Sequence, residues 1–415
     1  MKIKLVTFAP HPNFGTCLQS YALNKVLTDM GHDVEFIYNG KEKRPKPLIY
    51  YVKTIVEWML PKQILNGIKT KRTEERTEMK DVPPYILELP NSPLRYWMSR
   101  IPRYGWLYKS LKCRTLQWRK VYKFTFEDGN YKMRRLYIKR QYDEVVKDAD
   151  LFITGSDQIW NPYCGGFNPM MFLEFAGNTK RVAYSSSISR PNFPKEVELR
   201  AKEDLMKFQH IAVREQSSVD MLKRLLGRDD VQLVVDPTYL LSSDEWLAFG
   251  NRAVIEFNLP EKYIFCYFIG ITRNDEYNHM VEEVKSYTGI QDVITTDCIG
   301  SDYQYGGGIV YKDGGPYEFV YLLSHASYVC MDSFHATVFS LKFRKDFVHI
   351  LKTKENGDVT SQNTRMYDIM NRYNISHKIY DNNQNWTIQI DYEHVEKIME
   401  EEINISTNYL KQSLS

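Results

Sequence analysis

The segment with the clearest potential for chemistry is residues 332–337, DSFHAT, which follows the apolar run YVCM and leads into the helical pattern VFSLKF. Free amides at a helix amino terminus bind phosphate or carboxylate. A histidine in the first turn can exchange protons near neutral pH. We therefore predict an anion site at Ser333 and an acid–base role for His335. The alternative is that Asp332 or Ser333 only caps the helix and that His335 is a satisfied core histidine.

Two arginines could complete an anion site. Arg214 lies at the end of the run HIAVRE, and Arg365 lies in SQNTRMYD. A guanidinium binds an oxyanion through two parallel hydrogen bonds, so both arginines are predicted ligands of an anionic substrate. Either could instead form an ordinary ion pair, and Glu215 offers one to Arg214.

A second group of polar residues lies at 155–162, GSDQIWNP, directly after the apolar run LFIT. It combines hydroxyl, carboxylate and amide side chains with one indole, at Ser156, Asp157, Gln158, Trp160 and Asn161. Such groups bind sugar hydroxyls, and an aromatic face packs against the ring carbons. We therefore predict a sugar-binding loop. The alternative is a structural turn that Asp157 caps and Trp160 anchors.

The turn at 13–16, NFGT, is a third candidate. Gly15 permits a tight turn after the first strand, and Thr16 can cap the following helix. Free amides there would bind an anion or a hydroxyl, and Asn13 and Gln19 would extend the polar surface. The turn is not a GxGxxG loop, and a plain strand-to-helix connection explains it equally well.

These candidates follow predicted strands of a parallel α/β fold. The apolar runs at 3–9 and 33–39, with a helical pattern at 16–30 between them, form a β-α-β unit. Runs at 151–157 and 181–188 continue that sheet. The later runs HIAVRE, QLVVDPT, YIFCYFIG, DVITTDC, YVCMDS and FVHI predict a second doubly wound sheet.

The predicted fold class is therefore α/β, with two Rossmann-like doubly wound domains facing a cleft. Residues 1–205 form the predicted N-terminal domain, with a helical insertion at about 41–150. Residues 206–385 form the C-terminal domain, and 386–415 form a helical tail of uncertain docking. A length of 415 residues suits two globular units.

Composition narrows the class of protein. Apolar residues at 43% and charged residues at 26% are typical of a folded chain, and a net charge of +3 gives no reason to expect nucleic acid. The six cysteines contain no C-x-x-C pair, so we expect no metal and no disulfide framework. The apolar stretch in MKIKLVTFA is too short for a secretory signal. No apolar run reaches the roughly 18 residues of a bilayer span, so we expect a cytoplasmic protein.

Taken in order, these segments resemble the polysaccharide pyruvyl transferase family. The resemblance rests on NFGT with the following LQ and YAL, then GSDQIWNP, VREQSS, VVDPT and DSFHATVFS. These segments span residues 3 to about 370, and the second and last of them are specific in combination. Ala336 stands where glycine is expected in the family, and 41–150 matches no family segment that we can place.

The resemblance implies a GT-B-like fold and transfer of a pyruvyl group from phosphoenolpyruvate to two hydroxyls of one sugar, giving a cyclic ketal and phosphate. Phosphoenolpyruvate is then a co-substrate, and no cofactor is implied. The donor would bind Arg214, Ser333, His335 and Arg365, with His335 and Arg214 as catalytic residues. The acceptor would bind first-domain residues across the cleft, namely Asn13, Thr16, Gln19, Ser156, Asp157, Gln158, Trp160 and Asn161.

The acceptor implied by the resemblance is a surface polysaccharide, such as a capsule or exopolysaccharide, or its lipid-linked precursor. Residues 47–60, PLIYYVKTIVEWML, and 95–114, RYWMSRIPRYGWLYKSLKCR, mix aromatic and basic residues as interfacial helices do. Peripheral contact with the inner face of the membrane is therefore one hypothesis. A helical subdomain with a solvated basic face is the other.

Two other functions share parts of this pattern. A GT-B-type glycosyltransferase that uses a nucleotide sugar would have the same architecture and a similar sugar loop. A non-catalytic sugar-binding or scaffold protein would tolerate substitution of His335 and Arg214. Stabilisation by phosphoenolpyruvate, by a nucleoside diphosphate or by saccharide alone distinguishes the three.

Overall fold

The computed structural model describes residues 1–8, 12–39, 89, 91–101, 115–162, 167–190, 192–270, 274–296, 303–352, 363–381 and 383–415. Two parallel sheets, one of seven strands and one of five, organise this part of the chain. None of the helices in these ranges combines the length and apolar character that crossing a bilayer requires.

The first sheet has the strand order β3-β2-β1-β4-β5-β6-β7. Its strands are β1 (Lys2–Val6), β2 (Asp33–Asn39), β3 (Met133–Leu136), β4 (Leu151–Thr154), β5 (Lys180–Ser186), β6 (His210–Val213) and β7 (Gln232–Leu233). The order runs outward in both directions from the β1–β4 pair. Ligands of such sheets bind at this reversal, beyond the carboxyl ends of the strands.

Helices cover both faces of the first sheet. The helices that precede residue 230 are α1 (Phe14–Asp29), α2 (Pro93–Ser99), α3 (Leu116–Phe126), α4 (Lys139–Asp148), α5 (Lys195–Leu205) and α6 (Gln216–Leu226). Leu23 of α1 packs with Leu5 on one face, whereas Val145 of α4 packs with Phe152 on the other. The strands are therefore buried on both sides, which explains their continuous apolar runs.

The second sheet repeats this pattern with the order β10-β9-β8-β11-β12. Its strands are β8 (Ile264–Tyr267), β9 (Val293–Thr296), β10 (Ile309–Tyr311), β11 (Tyr328–Met331) and β12 (Phe347–His349). The remaining helices are α7 (Ser243–Gly250), α8 (Asn274–Thr288), α9 (Pro316–His325), α10 (Phe334–Lys342), α11 (Thr364–Arg372) and α12 (Tyr392–Leu414). Met280 of α8 and Val320 of α9 cover opposite faces. The prediction of two Rossmann-like, doubly wound sheets is confirmed.

Two strands that were expected in the second sheet belong to the first sheet. The sequence pattern predicts that HIAV and QLVV join the second sheet, and this prediction is wrong. β6 pairs with β5 through His210 and Val182, and β7 pairs with β6 through Gln232 and Ala212. Both sheets are parallel and buried on two faces, so an apolar run does not indicate which of them it joins. The first sheet therefore extends past the predicted boundary at 205.

The predicted insertion at 41–150 also contributes to the first sheet. Residues 40–88, 90 and 102–114 lie outside the described residues. Within the rest, β3 pairs with β2 through Met133 and Phe36, and α4 connects β3 to β4. The sequence of β3, MRRL, lacks the apolar pattern that indicates a strand, because two of its four residues are arginines. An edge strand tolerates such charged side chains.

One apolar core joins the part of the chain built on the first sheet, the first unit, to the part built on the second sheet, the second unit. The ring of Phe14 in α1 lies 5.9 Å from that of Tyr267 and 5.3 Å from that of Phe319, centroid to centroid. Tyr21, also on α1, packs against Phe249 with the centroids 4.9 Å apart. α1 therefore connects two strands of the first sheet, and its side chains pack against both units.

α12 returns from the second unit to the first. Its buried Val395 packs in the shared core, whereas Leu410 packs against the first sheet. The Tyr409 hydroxyl donates to the Ala183 carbonyl oxygen of β5 at 2.7 Å. The backbone N–H of Val235 donates to Ser406 Oγ at 2.9 Å. The predicted C-terminal helix thus binds both units.

Candidate active site between the two sheets

His335 lies in the first turn of α10, directly beyond the carboxyl end of β11. Ser333 is the N-cap of this helix, and its Oγ accepts a hydrogen bond from the Ala336 N–H at 3.5 Å. His335 is 7% exposed, and its Nε2 has no hydrogen-bond partner within the described ranges. Buried polar atoms are nearly always satisfied in folded proteins, so this nitrogen is available to a ligand.

The imidazole of His335 reaches across to the first unit. Its Nε2 lies 3.6 Å from Asp236 Oδ2, an ion-pair distance that is too long for a hydrogen bond. On the other side it packs against the backbone of Gly15, where an added Cβ would lie 2.1 Å from Nδ1. The predicted 13–16 turn and the predicted 332–337 segment therefore meet at one site.

Asp236 is the charged centre of this site, and it is not among the residues predicted from the sequence. Its Oδ2 accepts hydrogen bonds from Arg214 at 2.7 Å and from Ser156 Oγ at 2.9 Å. Its Oδ1 accepts from the Thr238 N–H and hydroxyl. Burial by itself raises the pKa of Asp236, but His335, Arg214 and the Thr238 N–H outweigh it and hold this pKa well below its usual range. The side chain is therefore a permanent carboxylate.

Arg214 is surrounded by three carboxylates. It bonds Asp236, and its Nε and second terminal nitrogen lie 3.3 Å from Glu215 Oε1 and 3.5 Å from Asp157 Oδ1. Burial lowers the pKa of Arg214, but these three carboxylates raise it above its ordinary value. The ion pair with Glu215 that the sequence offered as an alternative is present, within a larger charged cluster.

Two guanidinium groups lie near the ring of Phe334. The Arg214 Cζ lies 4.7 Å from the centre of its ring, and the Arg365 Cζ lies 5.6 Å from it. The negative face of an aromatic ring attracts such cations. Arg365 belongs to α11 and lies 151 positions after Arg214 in the sequence. Only the fold therefore brings the two predicted anion ligands together.

A cavity opens beside this cluster. Its cationic lining residues are Arg214, Arg365 and Arg372, and its acidic lining residues are Glu215, Asp236 and Asp368. Phe334 forms part of the wall. Such a surface suits a small ligand that carries both anionic groups and hydroxyls.

The loop that follows β4 in the first unit forms hydrogen bonds with α1 and with the charged cluster. The Thr16 hydroxyl donates to Asp157 Oδ2 at 2.9 Å, and the Ser156 N–H donates to Gln19 Oε1 at 3.3 Å. Gln19 and Ser156 are fully buried. Burial raises the pKa of Asp157, but Arg214, His335 and Arg365 lower it, and the net result lies below the ordinary value. Four predicted acceptor residues therefore form one network with the predicted donor residues.

The structure corrects the prediction for Trp160. Its side chain is 1% exposed, its ring stacks on Phe172 with the centroids 5.6 Å apart, and its Nε1 donates to the Met171 carbonyl at 3.1 Å. The indole therefore anchors the loop in the core and offers no face to a sugar. Asn161 Nδ2 donates to Gln158 Oε1 at 2.7 Å, and both residues are buried. Of the predicted acceptor residues, Asn13 alone is partly exposed.

The family model for polysaccharide pyruvyl transferase matches residues 13–351. Comparison with curated proteins gives no match.

Among solved structures, UDP-GlcNAc 2-epimerase from Neisseria meningitidis bound to UDP-GlcNAc aligns with a TM-score of 0.46 and 10% identity, covering 100% of this chain and 94% of that one. The ADP-heptose LPS heptosyltransferase II from E. coli aligns with a TM-score of 0.33 and 9% identity, covering 97% and 99%. The match of the family model over most of the sequence decides the assignment: this chain belongs to the polysaccharide pyruvyl transferase family.

Proposed function

We propose that this chain transfers a pyruvyl group from phosphoenolpyruvate to two hydroxyls of one sugar in a surface polysaccharide or its precursor, forming a cyclic ketal and releasing phosphate. The observation that carries the proposal is the pair of guanidinium groups of Arg214 and Arg365 on Phe334, beside His335. Phosphoenolpyruvate carries a carboxylate and a phosphate, and two arginines match two oxyanions. The amides at the start of α10 add further donors.

His335 is the proposed general acid. The methylene carbon of the donor must gain a proton when it becomes a methyl group, and His335 Nε2 is a buried nitrogen without a protein hydrogen-bond partner in the described chain. The Asp236 carboxylate lies 3.6 Å from this nitrogen. Arg214 would stabilise the charge on the departing phosphate. No metal or cofactor takes part in this scheme.

Phosphate release from phosphoenolpyruvate, measured with a panel of galactosides and mannosides, tests the activity. We expect release by the native protein and a loss of about 100-fold or more in His335→Ala, because a general acid contributes that much. Thermal stabilisation by phosphoenolpyruvate should persist in the variant, since the arginines remain. His394→Ala, which removes an exposed histidine of α12, is the matched control and should retain full turnover.

Two results would contradict the proposal. Full turnover in His335→Ala would remove the acid role. Stabilisation of the native protein by a nucleoside diphosphate but not by phosphoenolpyruvate would instead indicate a nucleotide-sugar glycosyltransferase.

The proposed acceptor is lipid-linked, and the proposed place of action is the inner face of the membrane. α2 exposes Leu94 and Trp97, at 71% and 66%, and Ile101 follows on the same side at 54%. Arg95 and Arg100 accompany them, and this mixture suits an anionic lipid surface. Residues 47–60 lie outside the described residues.

Sedimentation with anionic vesicles tests this placement. Native protein should sediment with the vesicles, and a Leu94→Ser/Trp97→Ser variant should not. Failure of the native protein to bind excludes this placement.

A further inference from the structure

One face of α11 lines the cavity. Arg365, Asp368, Ile369 and Arg372 all contribute to its wall, and their spacing of three, one and three residues places them on one side of a helix. Arg365 is one of the two cations on Phe334. A carboxylate therefore lies one helical turn from a proposed donor ligand.

Asp368 has a buried oxygen for which the protein supplies no hydrogen bond. Its Oδ2 is inaccessible to solvent and has no partner in the described ranges. Arg372, one turn further along α11, forms an ion pair with Glu402 of α12 at 3.1 Å. An unsatisfied buried acceptor costs stability, so a ligand group that donates a hydrogen bond would bind here favourably.

The surroundings of Asp368 make it a stronger base than an ordinary carboxylate. Burial raises its pKa, the negative charge of Glu215 raises it further, and Arg372 opposes them with a smaller effect. The other charged or titratable groups on the cavity wall are Arg214, Asp236, Tyr239 and Arg365. A carboxylate with a raised pKa accepts a proton from a hydroxyl more readily at neutral pH.

We propose that Asp368 is the general base that takes the proton of the acceptor hydroxyl. This inference rests on the proposed function. As the hydroxyl oxygen forms a bond to the central carbon of phosphoenolpyruvate, its proton passes to the Asp368 carboxylate. The electron pair of the donor's double bond takes a proton from His335 and forms the methyl group. One proton enters and one leaves the addition product, so the step balances.

This assignment extends the acceptor site to the second unit. The sequence predicts acceptor contacts on the first unit alone. With Asp368 as the base, the reacting hydroxyl lies against α11, between it and the Arg214 side of the cavity. The sugar would then span the gap between the two units.

The test is Asp368→Asn, which keeps the size and polarity of the side chain but cannot accept the proton. We expect kcat to fall by about 100-fold or more while stabilisation by phosphoenolpyruvate is unchanged. In the native enzyme kcat should fall as the pH is lowered, because protonated Asp368 cannot act as a base. This acidic limb should be absent in the variant. Asp244→Asn, at an exposed aspartate of α7, is the matched control and should behave as the native protein.

The outcomes separate this inference from the function on which it rests. Native protein that releases no phosphate from phosphoenolpyruvate would contradict the proposed function, before any variant is considered. Native turnover in Asp368→Asn, or a parallel loss of donor stabilisation, would overturn the role of Asp368 alone. If Asp368→Asn does not fold, Asp368→Glu decides: it retains a carboxylate and should keep measurable turnover with the acidic limb, and an inactive but folded protein would contradict the proposal.

Discussion

At the scale of single residues, Gly15 determines how closely the two units approach at the site. A Cβ at this position would lie 2.1 Å from His335 Nδ1 and 2.6 Å from its Cγ, far inside the contact distance. The imidazole occupies the space that any other side chain would fill. Gly15 lies in the first turn of α1 and has no positive φ, so it is a residue in the other unit, and not its own backbone, that requires glycine here.

We predict that Gly15→Ala lowers phosphate release by about 100-fold, because a displacement of His335 by roughly 1 Å is enough for a loss of that size. The change is read from kcat, with the melting temperature measured alongside it. Gly306→Ala is the control, since a Cβ there meets no atom within 4 Å. Unchanged turnover in Gly15→Ala would show that His335 does not need its present position.

The positions of the site residues were predictable, but their connections were not. Polar residues that follow apolar runs indicate three segments, 13–16, 155–162 and 332–337. Each of them follows a strand of a parallel sheet. Asp236 follows the run QLVV in the same way and precedes a proline, so the same signal was present. Its contacts with Ser156, Arg214 and His335 depend on strand order, which the sequence does not contain. For Trp160, residue type alone does not distinguish a ligand-binding indole from a buried one.

At the scale of elements, α12 connects structures that are distant in the sequence. Its first turns contribute Val395 and Met399 to the shared core, and its last turns contribute Tyr409 and Leu410 to the first sheet. The bond from Val235 N–H to Ser406 also fixes the strand that leads to Asp236. The helix therefore supports the site from behind, although it does not line the cavity.

A pair of substitutions on α12 tests this role. Leu410→Ala should lower the free energy of unfolding by about 2–5 kcal/mol, because Leu410 is fully buried against the first sheet. Ile405→Ala removes a similar side chain that is 54% exposed, and its effect should stay within about 0.5 kcal/mol. Urea denaturation measures both. Equal effects of the two substitutions would mean that the helix does not dock as described.

Element types were predicted better than their partners. The helix at the end of the chain was evident from its periodicity, but its docking surface was not, because several apolar faces could accept it. The same limit explains β6 and β7, whose apolar runs fit either sheet. β3 was missed because a short, arginine-containing edge strand has little apolar pattern to detect.

At the scale of the whole molecule, the two units share an apolar interface. Interfaces between domains are usually polar and permit relative motion unless they are large and apolar. Here Phe319 contacts Phe14 of the first unit and Tyr267, Phe265 and Phe339 of the second. Polar contacts extend the interface, since the Lys120 ammonium lies 3.1 Å from Glu318. These contacts hold the two sides of the site together.

We predict a single unfolding transition and a shared response to Phe319→Ala. This substitution should cost about 3–5 kcal/mol, the usual effect of deleting a buried phenylalanine. Hydrogen exchange should show equal loss of protection in β4 of the first sheet and β11 of the second. Loss confined to β11, or two separate transitions in calorimetry, would show that the units unfold independently.

The route of α12 has a further consequence for how the protein is made. Strands β1 to β7 leave the ribosome long before residues 392–414 are synthesised. Until then, the sheet face that contains Ile3, Leu5 and Tyr184 lacks Tyr409 and Leu410 as its cover. The nascent N-terminal half thus presents apolar surface to the cell throughout elongation, a state that favours aggregation and chaperone binding. This face of the first sheet is covered only after residues 392–414 are synthesised, although all seven strands of the sheet lie within the first 233 residues.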